Sequence, residues 1–176
     1  MQFDELMARR RMVRGYRPDP VPGEVVSRIV GVVRRAPSAG NCRPHRLAVV
    51  TDPDDRRRLA DLAEGYYLER GLPPWISQAP VQIVLGVREE AYHDRYRQPE
   101  KLDARGAEIE WPVPFWWFDS GALLMLLQLA AIDEGLVTGF YSPAAAADLA
   151  AIAAIAGFEA GTAVSGVVTI GYPADT

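Results

Sequence analysis

The stretch from Phe115 to Leu136 constrains this chain more than any other. It is almost entirely apolar and long enough to cross a bilayer, for which about 20 apolar residues suffice. Asp119, Gln128, Asp133 and Glu134 interrupt it, however, and no second such segment follows. An unpaired Asp and Gln in lipid would be costly. The better reading is a helix from about Phe115 to Glu134, buried at the centre of a soluble protein and stopped by Gly135. Its apolar residues lie all round rather than along one stripe, so it needs cover on every face. The other helices available in 176 residues are few and more polar. A second copy of the same helix, in a two-fold homodimer, is the simplest extra cover.

Bulk properties narrow the function classes. The length suits one domain, residues 1–176. A net charge of −4 gives no support for a nucleic-acid partner. Cys42 is the only cysteine, which rules out an internal disulfide and fits a reducing compartment. Met1-Gln2-Phe3-Asp4-Glu5 carries early acids and no apolar run, so it does not read as a secretory signal. A cytoplasmic protein acting on a small molecule, with no nucleic acid and no membrane, is expected.

Periodicity places the remaining elements. Phe3 to about Arg11 reads as a short helix, and Pro18, Pro20 and Pro22 then impose an irregular extended stretch. Glu24 to Arg35 is an amphipathic helix, and Ala36 to Asn41 a small-residue loop. Leu47 to Thr51, Val81 to Val87 and Ala163 to Ile170 read as three apolar strands. Asp52-Pro53-Asp54 caps a helix through about Gly65, and Ser142-Pro143 has the form of a cap for another through Ala156. Residues 88–114 form a long polar segment, functional or locally helical. Trp75, Tyr92, Tyr96, Trp111, Trp116 and Trp117 could wall a substrate or simply pack with one another. The pattern describes one α+β or α/β domain.

Two segments carry candidate chemistry. Arg9, Arg10, Arg11, Arg14 and Arg17 put five cations within nine residues of an acidic protein. Arginine forks suit a phosphate, although a solvated, ion-paired face is the plainer reading of the bare cluster. Arg10 and Arg14 lie four apart, the spacing that shares a face on a helical turn. Ala36 to Asn41 has little bulk, which lets a flat ligand approach the backbone. Asn41 offers both a donor and an acceptor. A plain helix-to-strand turn explains the loop equally well.

Taken in order, the segments resemble the FMN-dependent nitroreductase family. Arg10-Arg11-Met12-Val13-Arg14-Gly15-Tyr16 is similar to its opening Arg-Arg-Ser-x-Arg-x-Phe/Tyr motif, and Ala36-Pro37-Ser38-Ala39-Gly40-Asn41 to its Ala-Pro-Ser-Ala/Gly-x-Asn loop. Asp119-Ser120-Gly121-Ala122, continuing to Asp133-Glu134-Gly135-Leu136, is similar to its central helix, and Val167 to Pro173 to its last core strand. The resemblance implies an α+β three-layer sandwich: a mixed or antiparallel sheet flanked by helices, with a long buried central helix. It implies a homodimer with FMN between subunits, reduced by NADH or NADPH and reoxidised by a nitroaromatic, quinone or similar acceptor in a ping-pong cycle. By that likeness Arg10, Arg11, Met12 and Arg14 would meet the phosphate and nearby flavin atoms. Pro37, Ser38, Asn41 and Arg43 would line the flavin, and Gly139, Phe140, Tyr141 and Ser142 would run along its ring. The Ser142 backbone N–H would sit near N5, and no side-chain acid or base is demanded.

The chain also departs from that pattern. Met12 stands where the family has serine, and Cys42-Arg43-Pro44-His45 replaces Ser-Gln-Pro-Trp. Cys42 reads as a packing residue and His45 as a structural one. Pro143 has no N–H to offer, and the sequence to Thr176 holds no basic tail of the kind family members carry beyond the last strand. Two alternatives therefore stand beside the reductase: a flavin oxidase or dehydrogenase of a biosynthetic pathway, and a degenerate partner subunit without catalysis. A deazaflavin in place of FMN also fits.

Overall fold

A computed structural model describes residues 1–174. Four strands form one sheet: β1 (His45–Val50), β2 (Val81–Val87), β3 (Val137–Tyr141) and β4 (Ala163–Gly171), in the order β1-β2-β4-β3 with every pairing antiparallel. β2 spans the residues its apolar run predicts. It is central, and all of its residues are buried. β3 is a strand that the sequence reading left out. Its five residues include Gly139 and Thr138, so no apolar run marks them, and only pairing with β4 makes them a strand.

Alternation on β2 and β4 builds two cores. Val81, Ile83, Leu85, Val168 and Ile170 face α2 (Gly23–Val30) and α6 (Phe115–Asp133), meeting Val26, Ile29, Leu123, Leu127 and Ala131. Val84, Val167 and Tyr141 face the other way, toward α3 (Pro53–Asp61), α4 (Glu64–Leu68) and α7 (Ala146–Ile155), meeting Leu59, Trp75, Ile76 and Ile152. The fold is the expected α+β three-layer sandwich. α1 (Phe3–Arg9) lies against α6, and α5 (Glu90–Tyr96) folds part of the long polar segment.

Several boundaries differ from the sequence reading for local reasons. Asp52 caps α3 as expected, accepting from the N–H groups of Asp54 and Asp55. That helix ends at Asp61 rather than near Gly65, because the chain breaks at Ala63 (φ −140°) and restarts as α4. Ser142 is not a helix cap. Proline at 143 disfavours helical backbone at Ser142, and α7 begins only at Ala146, after Ala145 in an extended conformation. The amphipathic helix after Pro22 tightens into a 3₁₀ turn over Gly31–Arg35. The central helix buries Ser120, Leu123, Leu127, Gln128, Ala131 and Ile132. Phe115, Trp117, Phe118 and Met125 stay exposed, so one chain covers one face of it and not every face.

Candidate functional site

After α1 the chain runs extended beside β3. Val13 donates to the Thr138 carbonyl at 2.8 Å, Met12 bridges Thr138, and Tyr16 bridges Pro173. Arg10 already has extended backbone (φ −64°, ψ 115°), so Arg10 and Arg14 do not share a helical turn. Pairing with β3 takes precedence over helical spacing here. Tyr16 anchors the strip. Its ring is buried, its hydroxyl donates to the Val13 carbonyl at 3.0 Å, and it lies 2.7 Å from Thr169 Oγ1. Burial pushes the Tyr16 phenol well above its ordinary value. Gly139 is required for this approach: a Cβ there would lie 2.7 Å from Trp75, from Thr169 Oγ1 and from the Val13 carbonyl.

Arg14 is seated on aromatic rings. Its guanidinium lies 5.6 Å from the Trp75 ring centroid and 5.8 Å from that of Tyr67, within the range of cation–π attraction. Trp75 is fixed in turn by Glu64. One carboxylate oxygen of Glu64 accepts from the backbone N–H groups of Trp75 (2.7 Å), Ile76 (2.6 Å) and Ser77 (3.0 Å). Tyr67 and Tyr66 continue into a cavity of about 600 Å³, whose walls include Asp61, Tyr141, Ser142, Pro143 and Asp148. Tyr141 is buried, and its hydroxyl donates to Gln82 Oε1 at 3.0 Å.

Among the expected ring-lining residues, Tyr141 and Ser142 border this cavity, while Gly139 and Phe140 sit within the sheet. Arg11 lines a separate hollow of about 370 Å³ with Arg9, Ile132, Leu136 and Pro173. Met12 directs its sulfur to the buried Gln128 amide, at 3.5 Å. Among the described residues none of Arg10, Arg11 and Arg14 has a carboxylate partner, whereas Arg9 pairs with Glu5.

The small-residue loop forms a second cluster. Gly40, Asn41 and Arg43 all have positive φ, at 60°, 55° and 53°. Four residues hold that conformation. Asp119 Oδ2 accepts from the Ala39 N–H at 3.0 Å and from the Tyr92 hydroxyl at 2.5 Å. Ser38 Oγ accepts from the Arg43 N–H at 3.1 Å. Arg95 Nε donates to the Gly40 carbonyl at 3.0 Å, and the Tyr96 ring fills the space that a Cβ at Gly40 would need. Cys42 is half-buried and contacts the Ser38 and Tyr92 hydroxyls, and burial raises its thiol above the ordinary value. His45 Nε2 meets the Pro37 carbonyl at 3.3 Å, and burial lowers the imidazole.

One chain does not bring the two clusters together. The loop is tied to Asp119, while Met12 is tied to Gln128, nine residues further along α6. At about 1.5 Å per residue that is roughly 13 Å. The aromatic cavity and the hollow beside Arg11 are lined by neither Ser38 nor Asn41. The aromatic residues divide as well. Tyr92, Tyr96 and Trp116 surround Trp111 in their own small core, with Trp111 4.7 Å from Tyr96 and 5.6 Å from Tyr92, and Trp75 lies beneath Arg14. The Tyr66-Tyr67 pair and Glu64 went unnoticed in sequence. An aromatic doublet straight after an amphipathic helix was the available signal for the first. Nothing local signals Glu64, whose partners lie 11 to 13 residues away.

Comparison with known proteins agrees with this architecture. The family model described as "Nitroreductase family" matches residues 7–172. A curated relative, NADH dehydrogenase of Thermus thermophilus, is 29% identical over 187 aligned residues that cover 95% of this chain and 84% of the relative. Among solved structures, a nitroreductase family protein from Clostridium novyi NT superposes with a TM-score of 0.77 at 18% identity, covering 99% of this chain and 87% of the other. An FMN-dependent nitroreductase from Clostridium difficile R20291 gives 0.73 at 18% identity, covering 97% and 87%. With the family model spanning nearly the whole described chain, the protein belongs to the nitroreductase family of oxidoreductases.

Proposed function

We propose that the chain is an FMN-dependent NAD(P)H oxidoreductase of small conjugated acceptors, working as a cytoplasmic homodimer. The observation that carries this reading is the strip from Arg10 to Arg14. Three arginines without carboxylate partners flank the Met12 and Val13 contacts with β3, and Arg14 lies over Tyr67, a residue of the aromatic cavity's wall. Unpaired guanidinium groups fixed by backbone pairing suit a phosphate, and a cavity rimmed by Tyr66, Tyr67 and Tyr141 suits a flat ring. Trp75 Nε1, beneath Arg14, is a buried polar atom without a partner.

These residues fit a flavin mononucleotide. Arg10, Arg11 and Arg14 would hold its phosphate and nearby atoms, and Tyr141 and Ser142 would border its ring. Bound FMN would supply the redox chemistry, exchanging a hydride with the nicotinamide and passing electrons to the acceptor. The protein's part is to fix the ring, exclude water and supply positive potential. Pro37, Ser38, Asn41 and Arg43 lie too far along α6 to join the strip within one chain, so a second copy would contribute them. The uncovered face of α6, with Phe115, Phe118 and Met125, is the apolar surface available for that contact. Two-fold pairing is the commonest way to cover such a face.

Heat release of bound ligand, chromatography and the visible spectrum test the cofactor. A colourless protein that also refuses added FMN would sink the proposal. Light scattering across a dilution series, with flavin fluorescence read in parallel, tests the shared site. A monomer that keeps its flavin would refute it. Turnover with NADPH or NADH and a quinone separates a reductase from an oxidase.

A further inference from the structure

Arg34, in the 3₁₀ turn after α2, and Arg43, in the left-handed loop, come from different elements yet line one hollow of about 270 Å³. Val33, Ala36, Asn41 and His45 complete its walls, so no carboxylate lines it. Among the described residues neither guanidinium has an ion-pair or hydrogen-bond partner. Arg28, Arg46, Arg58, Arg88, Arg95, Arg97 and Arg105 all meet carboxylates. In a chain of net charge −4, two arginines sharing a hollow without an acid is a local inversion of charge.

The backbone is strained at the same place. Asn41 and Arg43 both hold positive φ, a conformation that persists in a non-glycine residue where its surroundings over-determine it, often at ligand clamps. Ser38 and Asp119 do that bracing, and the Asp119 carboxylate is thereby committed to Ala39 and Tyr92. A third sign is His45. Its Nε2 meets the Pro37 carbonyl, and its Nδ1 is buried with no partner.

We infer that this hollow is an oxyanion subsite, in which the forks of Arg34 and Arg43 and the Asn41 amide take a phosphate or carboxylate group of a small ligand. Planar guanidinium groups match such anions with two parallel N–H donors. The anion is the phosphate of a phosphorylated nicotinamide reductant or the carboxylate of the acceptor. Its place in the reaction rests on the proposed flavin chemistry, whereas anion binding itself does not.

The test titrates inorganic phosphate into ¹⁵N-labelled protein while arginine Nε–H resonances are followed, with sodium chloride holding ionic strength constant. Arg34→Gln and Arg43→Gln assign the two signals. Both signals should shift saturably, and either variant should weaken phosphate by about tenfold. Arg34→Lys, which keeps the charge and loses the fork, should lie between. Signals that respond to phosphate no more than to chloride overturn the subsite, as do shifts confined to Arg10, Arg11 and Arg14. A loss in Arg34→Gln of FMN affinity but not riboflavin affinity also overturns it, because the hollow would then grip the flavin's own phosphate. In turnover, Arg34→Gln should raise the KM for NADPH about tenfold with NADH unchanged if the reductant is the source. If the acceptor is the source, the KM should rise for a carboxylate-bearing acceptor and not for its methyl ester. Unchanged KM values for all of these would remove the hollow from the reaction. Phosphate binding by a protein that refuses FMN would sink the flavin reading and leave the subsite standing.

Discussion

Replacing Glu64 with alanine should destabilise the protein more than its place in a five-residue helix suggests. The carboxylate oxygen serves three backbone donors, and two of them belong to Trp75 and Ile76, which have no exposed surface. A buried donor left without a partner costs about 1–3 kcal/mol. Two such donors, less the desolvation that Glu64 no longer bears, give roughly 3 kcal/mol. For a domain of this size each kcal/mol moves Tm by about 2–4 °C, so the fall should be on the order of 6–12 °C. Glu64→Gln keeps an acceptor oxygen and should lose roughly a third of that. Urea denaturation of the wild type and both variants, followed by Trp fluorescence, measures the differences directly. A loss below about 1 kcal/mol in the alanine variant, or equal losses in the two variants, would refute the reasoning. Because Glu64 fixes Trp75, and Trp75 carries Arg14, the alanine variant should also bind FMN more weakly at temperatures where it is still folded.

Three further outcomes follow from the same geometry. Arg10→Ala should weaken FMN roughly tenfold to a hundredfold while sparing riboflavin, which lacks the phosphate, and equal losses in a fluorescence titration would make the arginine structural. Gly139→Ala forces a methyl group against Trp75 and the Val13 carbonyl, and should cost about 1–3 kcal/mol in chemical denaturation; an unchanged midpoint would show that the strip gives way freely. His93 is held above its ordinary value by the Glu108 carboxylate, 2.5 Å from Nδ1. A raised folded-state value means that protonation stabilises, so this contribution is full below about pH 6.5 and is lost as pH rises through the folded-state value. The wild-type denaturation midpoint should therefore lie above that of Glu108→Gln inside that window and converge on it as pH rises, and a constant gap would contradict the assignment.

What was legible in the sequence depended on the range of the forces involved. β2 was found residue for residue because seven consecutive buried positions leave a run that needs no partner to be recognised. Asp52 declared its helix because a cap acts within three residues. β3 was missed because its order comes from β4, some 30 residues later, and its own sequence is small and mixed. The same limit governed the site. The arginines and the small-residue loop announced themselves by composition. Their seats did not, since Trp75, Tyr67, Tyr92 and Asp119 reach them only through the fold. Spacing even misled: Arg10 and Arg14 looked like neighbours on a helix, and pairing with Thr138 straightened the segment instead.

The strip beside β3 also has a protective consequence. A sheet margin with unsatisfied N–H and C=O groups is a template on which other chains can stack. Through the Val13 and Met12 contacts with Thr138, the residues proposed to grip the phosphate also shield that margin. Ligand capture and colloidal behaviour are thereby tied to one short segment. A lesion that frees the strip would be met first as turbidity during expression, before any loss of turnover could be assayed, and a saturating anionic ligand would act as a folding aid by keeping the margin closed.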